Sequence, residues 1–240
     1  RQNLKTGGVD AVDRALALLT AFEKRDSPLT LSELGSRTGF HASTALRLLT
    51  SLQKAGLVHR YSDKSFAIGA GVIQLYAVYR STSRLDEIVR PLLKRLVSAT
   101  DESASFFREE RERRICLVRE HSKRVIRDHA FEGDVFPMIG APGRILLAFR
   151  DYQSTNIPAS LAAALPFTSS GETDPEISGV SVPVFDTKGL AGALAISGPK
   201  YRFSASTVRR FKVLILTAGQ ELTRALGAST HGSAKPRRRR

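Results

Sequence analysis

Residues 30–56, with the sequence TLSELGSRTGFHASTALRLLTSLQKAG, constrain the fold more than any other stretch of this chain. The pattern predicts two short helices joined by a tight turn. Thr30 and Glu33 form a capping-box pair, because each side chain can bond a free amide of the other's turn, so a helix should begin at Leu31. Gly39 should end that helix, since glycine adopts the left-handed cap conformation without steric cost.

The next helix is predicted to run from His41 to Ala55 and to have two different sides. Apolar residues recur on one side at steps of three and four: Ala45, Leu48, Leu49 and Leu52. Polar residues recur on another side: Ser43, Arg47, Thr50 and Lys54. The apolar side must bury, whereas hydroxyls and an arginine near the helix start suit a helix that enters the DNA major groove. An ordinary amphipathic helical hairpin is the alternative interpretation.

The flanking segments favour a winged helix-turn-helix. Upstream, a helical stripe is expected to close a three-helix core: Val9, Val12, Leu16, Leu19 and Phe22. Downstream, residues 57–69 read as two short strands around the turn at residues 62–64, with Arg60 and Lys64 at the tip. These cations should neutralise phosphates beside the groove, and His41 could also contact a phosphate.

The motifs VDAVDRALALLTAF, LSELGSRTGFHASTALRLLTSLQKAGLV, GAPGRILLAF and VSVPVFDTKGLAGALAISGP resemble those of the IclR-type bacterial transcriptional regulators. The resemblance covers most of residues 9–226. It implies an α+β protein in which a winged helix-turn-helix (9–69) is joined by a linker helix (70–82) to a GAF-like α/β effector-binding domain (83–227). It further implies a dimer or dimer of dimers that binds a two-fold DNA operator, with Ser43, Thr44 and Arg47 at the reading positions.

The resemblance also places an effector pocket between the loop before GAPGR and the last two strands. The matching positions are Met138, Gly140, Ala141, Gly179, Ala195 and Ser197. Gly179 and Ala195 stand where many members of the family carry a more polar side chain. The resemblance therefore implies a small organic acid as effector, and the less polar pocket favours an aromatic or larger one. The glycine-lined helix start can hold a carboxylate, although a glycine turn needed only for close packing explains it equally.

Periodicity in the second half predicts an α+β sensor domain. A helix is expected over residues 85–97, kinked or interrupted at Pro91, followed by strands at 103–109 and 114–122 and a third run at 124–131. Residues 154–176 offer only a short helix at 158–165. Two strands, 178–185 and 190–197, and a helix capped by Ser204 end the domain. The predicted linker helix at 69–81 is too apolar for solvent, so we expect it to pack on a second subunit.

Composition points to a polyanionic partner, since the 240 residues carry a formal net charge of +14. Residues 1–8 read as a flexible arm and residues 228–240 as a basic disordered tail. The single Cys116, set among apolar residues, excludes an internal disulfide and fits a packed position in a protein of the reducing cytoplasm. No apolar run suggests a membrane span, and no secretory leader is recognised.

The sequence contains no set of residues typical of catalysis or of metal binding. The histidines show no metal-ligand spacing: His41, His59, His121, His129 and His231. We therefore expect a binding protein without cofactor or metal, and not an enzyme. The main alternative is a sensor or scaffold whose N-terminal domain binds protein or RNA. An enzyme with a basic accessory domain is disfavoured, because a catalytic set of residues is missing.

Overall fold

The protein is described by a computed structural model that covers residues 8–24, 26, 28–82 and 84–228. The chain divides into two compact units on either side of residue 83. The predicted arm, apart from Gly8, lies outside the described residues, as do residues 229–240 of the predicted tail, including His231. Within the described part, no helix combines the length and the apolar character needed to span a bilayer.

The first unit contains the predicted helix-turn-helix. Its helices are α1 (Asp10–Thr20), α2 (Leu31–Thr38) and α3 (Ala42–Lys54), followed by the hairpin β1 (Val58–Arg60) and β2 (Phe66–Ile68). Both halves of the capping box form, since the Glu33 amide donates to Thr30 Oγ1 and the Thr30 amide donates to Glu33 Oε2. Gly39 ends α2 at φ 74°, in the left-handed region. The predicted helix start and helix end are therefore confirmed.

The core of this unit is built from α1, α2, α3 and the hairpin. Its fully buried side chains include Leu18, Leu34, Ala45, Leu49 and Phe66. The prediction for α1 is wrong in part, because Val9, Val12 and Leu16 are exposed while Leu18 takes the central place. α1 has two apolar sides, and packing on α2 and α3 selects the side of Leu18. Periodicity alone does not distinguish two overlapping apolar stripes.

The predicted linker helix is α4 (Gly71–Thr82). None of its residues is buried. Its exposed large apolar side chains are Val72, Ile73, Leu75, Tyr76, Val78 and Tyr79. Within a single chain this apolar surface stays in contact with solvent.

The second unit is a mixed helix and sheet domain, as predicted. Its helices are α5 (Arg84–Thr100), α6 (Gly140–Phe149), α7 (Ala159–Ala163) and α8 (Ala205–Ala225). Its strands are β3 (Ser103–Glu110), β4 (Arg113–Glu120), β5 (Val135–Phe136), β6 (Phe167–Ser170), β7 (Ile177–Phe185) and β8 (Leu190–Pro199). They form one antiparallel sheet in the order β5-β4-β3-β8-β7-β6. Ser204 caps α8 by accepting a bond from the Thr207 amide, as its sequence predicts.

Two apolar layers cover the two faces of this sheet. On one face, α5 and α8 pack against β3, β7 and β8 around Phe106, Leu194 and Ile215. On the other face, α6 packs against the sheet around Phe107 and Phe149. We call this second side the α6 face. It is the side that holds the predicted effector residues.

A bulge in β4 determines which of its side chains reach the α6 face. Phe106 pairs with Val118, but the next residue, Phe107, pairs with Cys116, so Leu117 is left over. Beyond the bulge the alternation of β4 is reversed. Arg114 and Arg119 consequently lie on the same face, although strict alternation over five residues would separate them.

Three details of the second unit differ from the prediction. Residues 124–131 form no strand, and their apolar members Val125 and Ile126 are exposed. The edge strand β6 was missed, because its sequence FTSS carries little hydrophobic pattern. α5 runs through Pro91 without interruption. Burial of the neighbouring Val89, Leu92 and Leu93 offsets the hydrogen bond that proline cannot donate.

Candidate DNA-binding and effector-binding sites

The polar side of α3 is presented to solvent by the packing of its apolar side. Ala45, Leu49 and Leu52 are buried in the core of the first unit. Ser43 and Arg47 on the other side are exposed, as are Thr50 and Lys54, whereas Thr44 is half-buried. His41 precedes the helix in an extended conformation, is exposed, and makes no capping bond with its side chain. The exposed N-terminal half of α3 therefore carries hydroxyls and one guanidinium.

The cations of this surface have no acidic partner in the part of the chain that the structure describes. Among the described residues, no carboxylate lies within salt-bridge distance of Arg47, Lys54, Arg60 or Lys64. Two other arginines of the same unit are paired: Arg14 with Asp10 at 3.0 Å and Arg37 with Asp26 at 2.6 Å. The first turn of α3 contains no acidic residue either. The cations that are predicted to contact phosphates and bases are therefore not neutralised by carboxylates of the described residues.

The turn of the β1–β2 hairpin fixes the position of the wing cations. Asp63 accepts bonds from the Ser65 hydroxyl at 2.6 Å and the Ser65 amide at 2.9 Å, and these bonds lower the pKa of Asp63. Lys64 adopts φ 68° at the tip and is exposed. The Arg60 guanidinium lies 5.4 Å from the centroid of the Phe66 ring. Both predicted wing cations are thus held near an ordered turn.

A cleft beside α3 adds residues that the sequence pattern did not single out. It has a volume of about 320 Å³ and lies between α1 and α3. Its lining residues are Asp10, Ala11, Arg14, Thr44, Arg47, Leu48 and Ser51. Arg14 is the functional candidate that was missed, because no periodic pattern relates α1 to the polar side of α3.

The structure gathers the predicted effector residues on the α6 face. Gly179 of β7 is paired with Ser197 of β8 and with Ser169 of β6. Ser169 also lies beside Gly140, the first residue of α6. Ala141 is fully buried next to Gly140, and Ala195 is buried on β8. The Met138 backbone packs closely against Gly143, so a side chain at position 143 would clash with the Met138 backbone.

Gly140 needs to be glycine for two reasons. Its φ is +73°, and an added Cβ would lie 2.8 Å from Thr173 Oγ1. The N-cap residue Ile139 offers no side-chain bond to the first amides of α6. These amides stay available as donors, together with the positive end of the helix dipole.

An internal ion pair crosses the α6 face next to Ser197. Arg119, whose side chain is fully buried, lies 3.1 Å from Asp128 and donates to Ser105 Oγ at 2.6 Å. Ser197 donates to Asp128 Oδ2 at 2.5 Å. Burial by itself would raise the pKa of Asp128, but attraction to Arg119 and the bonds that it accepts outweigh burial and hold its pKa below the usual value. Asp128 is therefore ionised at neutral pH.

A second arginine of the α6 face, Arg114, is only 4% exposed. Its guanidinium packs against two rings that meet edge to face, 4.7 Å from the centroid of Phe107 and 4.6 Å from that of Phe136. It donates to the Pro137 carbonyl at 3.1 Å and to Thr173 Oγ1 at 3.2 Å. Burial lowers the pKa of Arg114 to about 10, so the side chain is still a cation at neutral pH. The motifs and the periodicity of the sequence do not point to Arg114, although a charged residue inside an apolar strand is a usable signal.

Two residues discussed from the sequence have buried reactive groups. Cys116 is fully buried on the α6 face, and burial raises the pKa of its thiol to about 12, which fits packing and not redox chemistry. His121 lies edge-on to Phe131, and its Nδ1 is buried without a hydrogen-bond partner among the described residues. Burial lowers the pKa of this histidine. Among the residues that the structure describes, no group of histidine, cysteine and acidic residues could hold a metal ion.

The first unit is a helix-turn-helix with an unneutralised basic surface. The second is a separate sheet domain with buried glycines and arginines. This combination is typical of two-domain transcriptional regulators. Residues 11–61 match the family model of the IclR helix-turn-helix domain. The first unit therefore contains an IclR-type helix-turn-helix, and the comparisons together support an IclR-type transcriptional regulator.

Relatives of the whole chain support this assignment. The transcriptional regulator BhcR of Paracoccus denitrificans is 26% identical, over 91% of this chain and 88% of the relative. The transcriptional repressor IclR of Escherichia coli is 25% identical, over 92% of each chain. These relatives are named as regulators of transcription, and the chain is accordingly a regulator and not an enzyme.

Solved structures agree on the fold. An IclR transcriptional regulator of Alicyclobacillus acidocaldarius has a TM-score of 0.78 at 21% identity, over 92% of this chain and 100% of that one. An IclR homologue of Microbacterium hydrocarbonoxydans, complexed with 4-hydroxybenzoate, has a TM-score of 0.70 at 18% identity, over 90% of this chain and 100% of that one. At these identities the similarity establishes the architecture of both units.

Proposed function

We propose that this regulator is a homodimer or a dimer of dimers that reads a two-fold DNA operator and responds to a small organic acid. In this proposal Ser43, Thr44 and Arg47 face base edges and phosphates in the major groove, while Arg60 and Lys64 of the wing neutralise flanking phosphates. His41, Thr50 and Lys54 extend the same surface along α3. The single observation that carries the proposal is the set of exposed cations without acidic partners on α3 and the wing.

The apolar surface of α4 supports the oligomeric part of the proposal. Ile73, Leu75 and Val78 are each more than half exposed, at 68%, 59% and 60%. Val9 and Val12 of α1 add a second exposed apolar surface in the same unit. Contiguous apolar surface of this kind normally marks an interface between proteins. A second copy that covers α4 would hold two recognition helices in a fixed relation, as a two-fold operator requires.

The composition of the α6 face supports an acidic effector. Buried arginines and the free amides at the start of α6 both favour a carboxylate. Gly179 and Ala195 provide no polar side chains, and this less polar surface favours an apolar body such as an aromatic ring. The structural relative complexed with 4-hydroxybenzoate makes that acid a reasonable first probe.

Footprinting on the DNA upstream of the protein's own gene would test the proposal directly. We expect a protected two-fold site, binding that weakens with salt, and altered binding after addition of an organic acid. Sedimentation at micromolar concentration without DNA should show a dimer or a tetramer. Stronger binding to structured RNA than to duplex DNA, or a monomer at micromolar concentration, would favour the sensor or scaffold alternative.

A further inference from the structure

The α6 face contains two buried arginines, and their electrostatic situations differ. Arg119 is neutralised by Asp128 at 3.1 Å. Arg114 has no carboxylate within salt-bridge distance among the described residues. Glu109, which is opposite Arg114 across the strand pair, is bound instead to Arg150 at 3.1 Å. Among the described residues, one buried cation is therefore paired directly with a carboxylate, whereas the other is attracted by Asp128 only from a longer distance.

The groups around Arg114 only partly replace a counter-ion. The Pro137 carbonyl and the Thr173 hydroxyl accept from Nε and Nη2, and two aromatic rings pack against the guanidinium. Nη1 has no hydrogen-bond partner among the described residues. A buried charge without an opposite charge is costly to the fold. Such a cost is typical of a site at which an anion from outside completes the arrangement.

The position of Arg114 connects it to the rest of the α6 face. Thr173 Oγ1 is 3.2 Å from Arg114 Nη2 and lies beside Gly140, where an added Cβ would approach it to 2.8 Å. The free amides at the N-terminus of α6 begin at this residue. The guanidinium and the helix start thus lie close to the same hydroxyl, and both attract a negative charge.

We propose that Arg114 is the carboxylate-recognition residue of the effector site, and that Phe107 and Phe136, which pack against its guanidinium, hold it in place. The inference rests on the proposed effector-binding role of the second unit and adds a residue to it. The carboxylate would bond Nη1 and approach the first amides of α6. Asp128 keeps Arg119 out of this role, since it already occupies that guanidinium.

The experiment compares Arg114→Met with Arg113→Met in the full chain. Arg113 is the exposed neighbour on the same strand, so its variant removes an equal charge without touching the site. Thermal unfolding is followed without ligand. Binding of acetate, benzoate and 4-hydroxybenzoate is measured by titration calorimetry, and benzamide and 4-hydroxybenzamide serve as uncharged control ligands. Arg114→Lys is the third variant, because it keeps the charge and loses the planar fork.

We expect Arg114→Met to unfold at a higher temperature than the wild-type protein in the absence of ligand, since it removes an uncompensated buried cation. It should bind the carboxylates at least about tenfold more weakly, with binding of the amides unchanged. Arg113→Met should bind the carboxylates as the wild-type protein does. The carboxylate affinity of Arg114→Lys should lie between those of Arg114→Met and the wild-type protein.

A lower unfolding temperature for Arg114→Met would show that Arg114 is structural and would overturn the inference. Unchanged carboxylate affinity in that variant would overturn it too, as would a wild-type protein that binds no carboxylate of the panel at millimolar concentration. Operator binding is measured in parallel without acid. A wild-type protein that does not bind the operator would count against the proposed regulator function. A difference between variants that is limited to binding of the acids concerns Arg114 alone.

Discussion

The wing residue Lys64 allows the proposed DNA contact to be tested with little disturbance of the fold. It is exposed, has no acidic partner among the described residues, and adopts φ 68°. Asparagine tolerates this left-handed conformation better than alanine does, so Lys64→Asn removes the charge and keeps the turn. We expect the stability of the variant to be close to that of the wild-type protein.

The magnitude follows from counter-ion release. Each phosphate contact contributes about 0.9 to the slope of the logarithm of the binding constant against the logarithm of salt concentration. A dimer has two wings, so Lys64→Asn should reduce the slope by about 1.8. When salt rises fourfold, from about 50 to about 200 mM, the affinity of both proteins for DNA should fall. The fall should be about 12-fold smaller for Lys64→Asn than for the wild-type protein.

Fluorescence anisotropy with a labelled operator and a scrambled duplex, over a series of salt concentrations, measures this slope. Lys64→Asn should weaken both duplexes about equally, because phosphates carry no sequence information. Arg47→Ala should instead cost about 1 to 3 kcal/mol on the operator and little on the scrambled duplex. Lys188→Asn, which removes an exposed lysine from the turn between β7 and β8, is the matched control and should change neither. An unchanged slope for Lys64→Asn would refute the assignment of the wing to phosphate contact.

Three further predictions concern stability and reactivity. Thr30→Ala should lower the free energy of unfolding by about 1 kcal/mol in urea titrations, because the capping bond to Glu33 is lost, whereas Thr30→Ser should keep it; equal stability of the two variants would contradict this. Cys116 should resist iodoacetamide at about pH 8, since its thiol is buried and its pKa is raised to about 12, and rapid alkylation of the native chain would disprove the packing. Asp128→Asn should lower the free energy of unfolding by about 3 kcal/mol near neutral pH, because it leaves Arg119 buried without a counter-ion. The pKa of Asp128 is lowered by folding, so its contribution is present above the unfolded pKa of about 3.9 and is lost as pH falls through the folded value. Urea titrations of the wild-type protein and Asp128→Asn should therefore show that their difference in the free energy of unfolding shrinks below about pH 4. A difference that is constant with pH would exclude the ion pair as its cause.

Much of the first unit could be predicted because its signals are local. The Thr30 capping box, the Gly39 cap and the wing turn each depend on residues within one or two turns of chain, and all three form in the structure. The helices α2 and α3 follow directly from them. The stripe on α1 was predicted less well, since only contact with α2 and α3 decides that Leu18 and not Val12 is buried.

In the second unit, the strands with strong apolar patterns were predicted and the weak ones were not. The sequence pattern correctly predicts β7, β8 and the cap of α8, does not predict β6, and wrongly predicts a strand at residues 124–131. β6 is an edge strand stabilised by pairing with β7, and its own sequence FTSS has little preference. The apolar residues of 124–131 have no sheet face to join.

The sequence by itself determined the helix-turn-helix, the basic surface of α3 and the wing, and the assignment to a class of regulators. These properties depend on local backbone preferences and on the periodicity of side chains. Only the tertiary structure decided that Arg114 and Arg119 share one face of the sheet and that Asp128 neutralises just one of them. The physical reason is the bulge at Leu117, which reverses the alternation of β4 and is specified by its pairing with β3 rather than by residues near it in the chain.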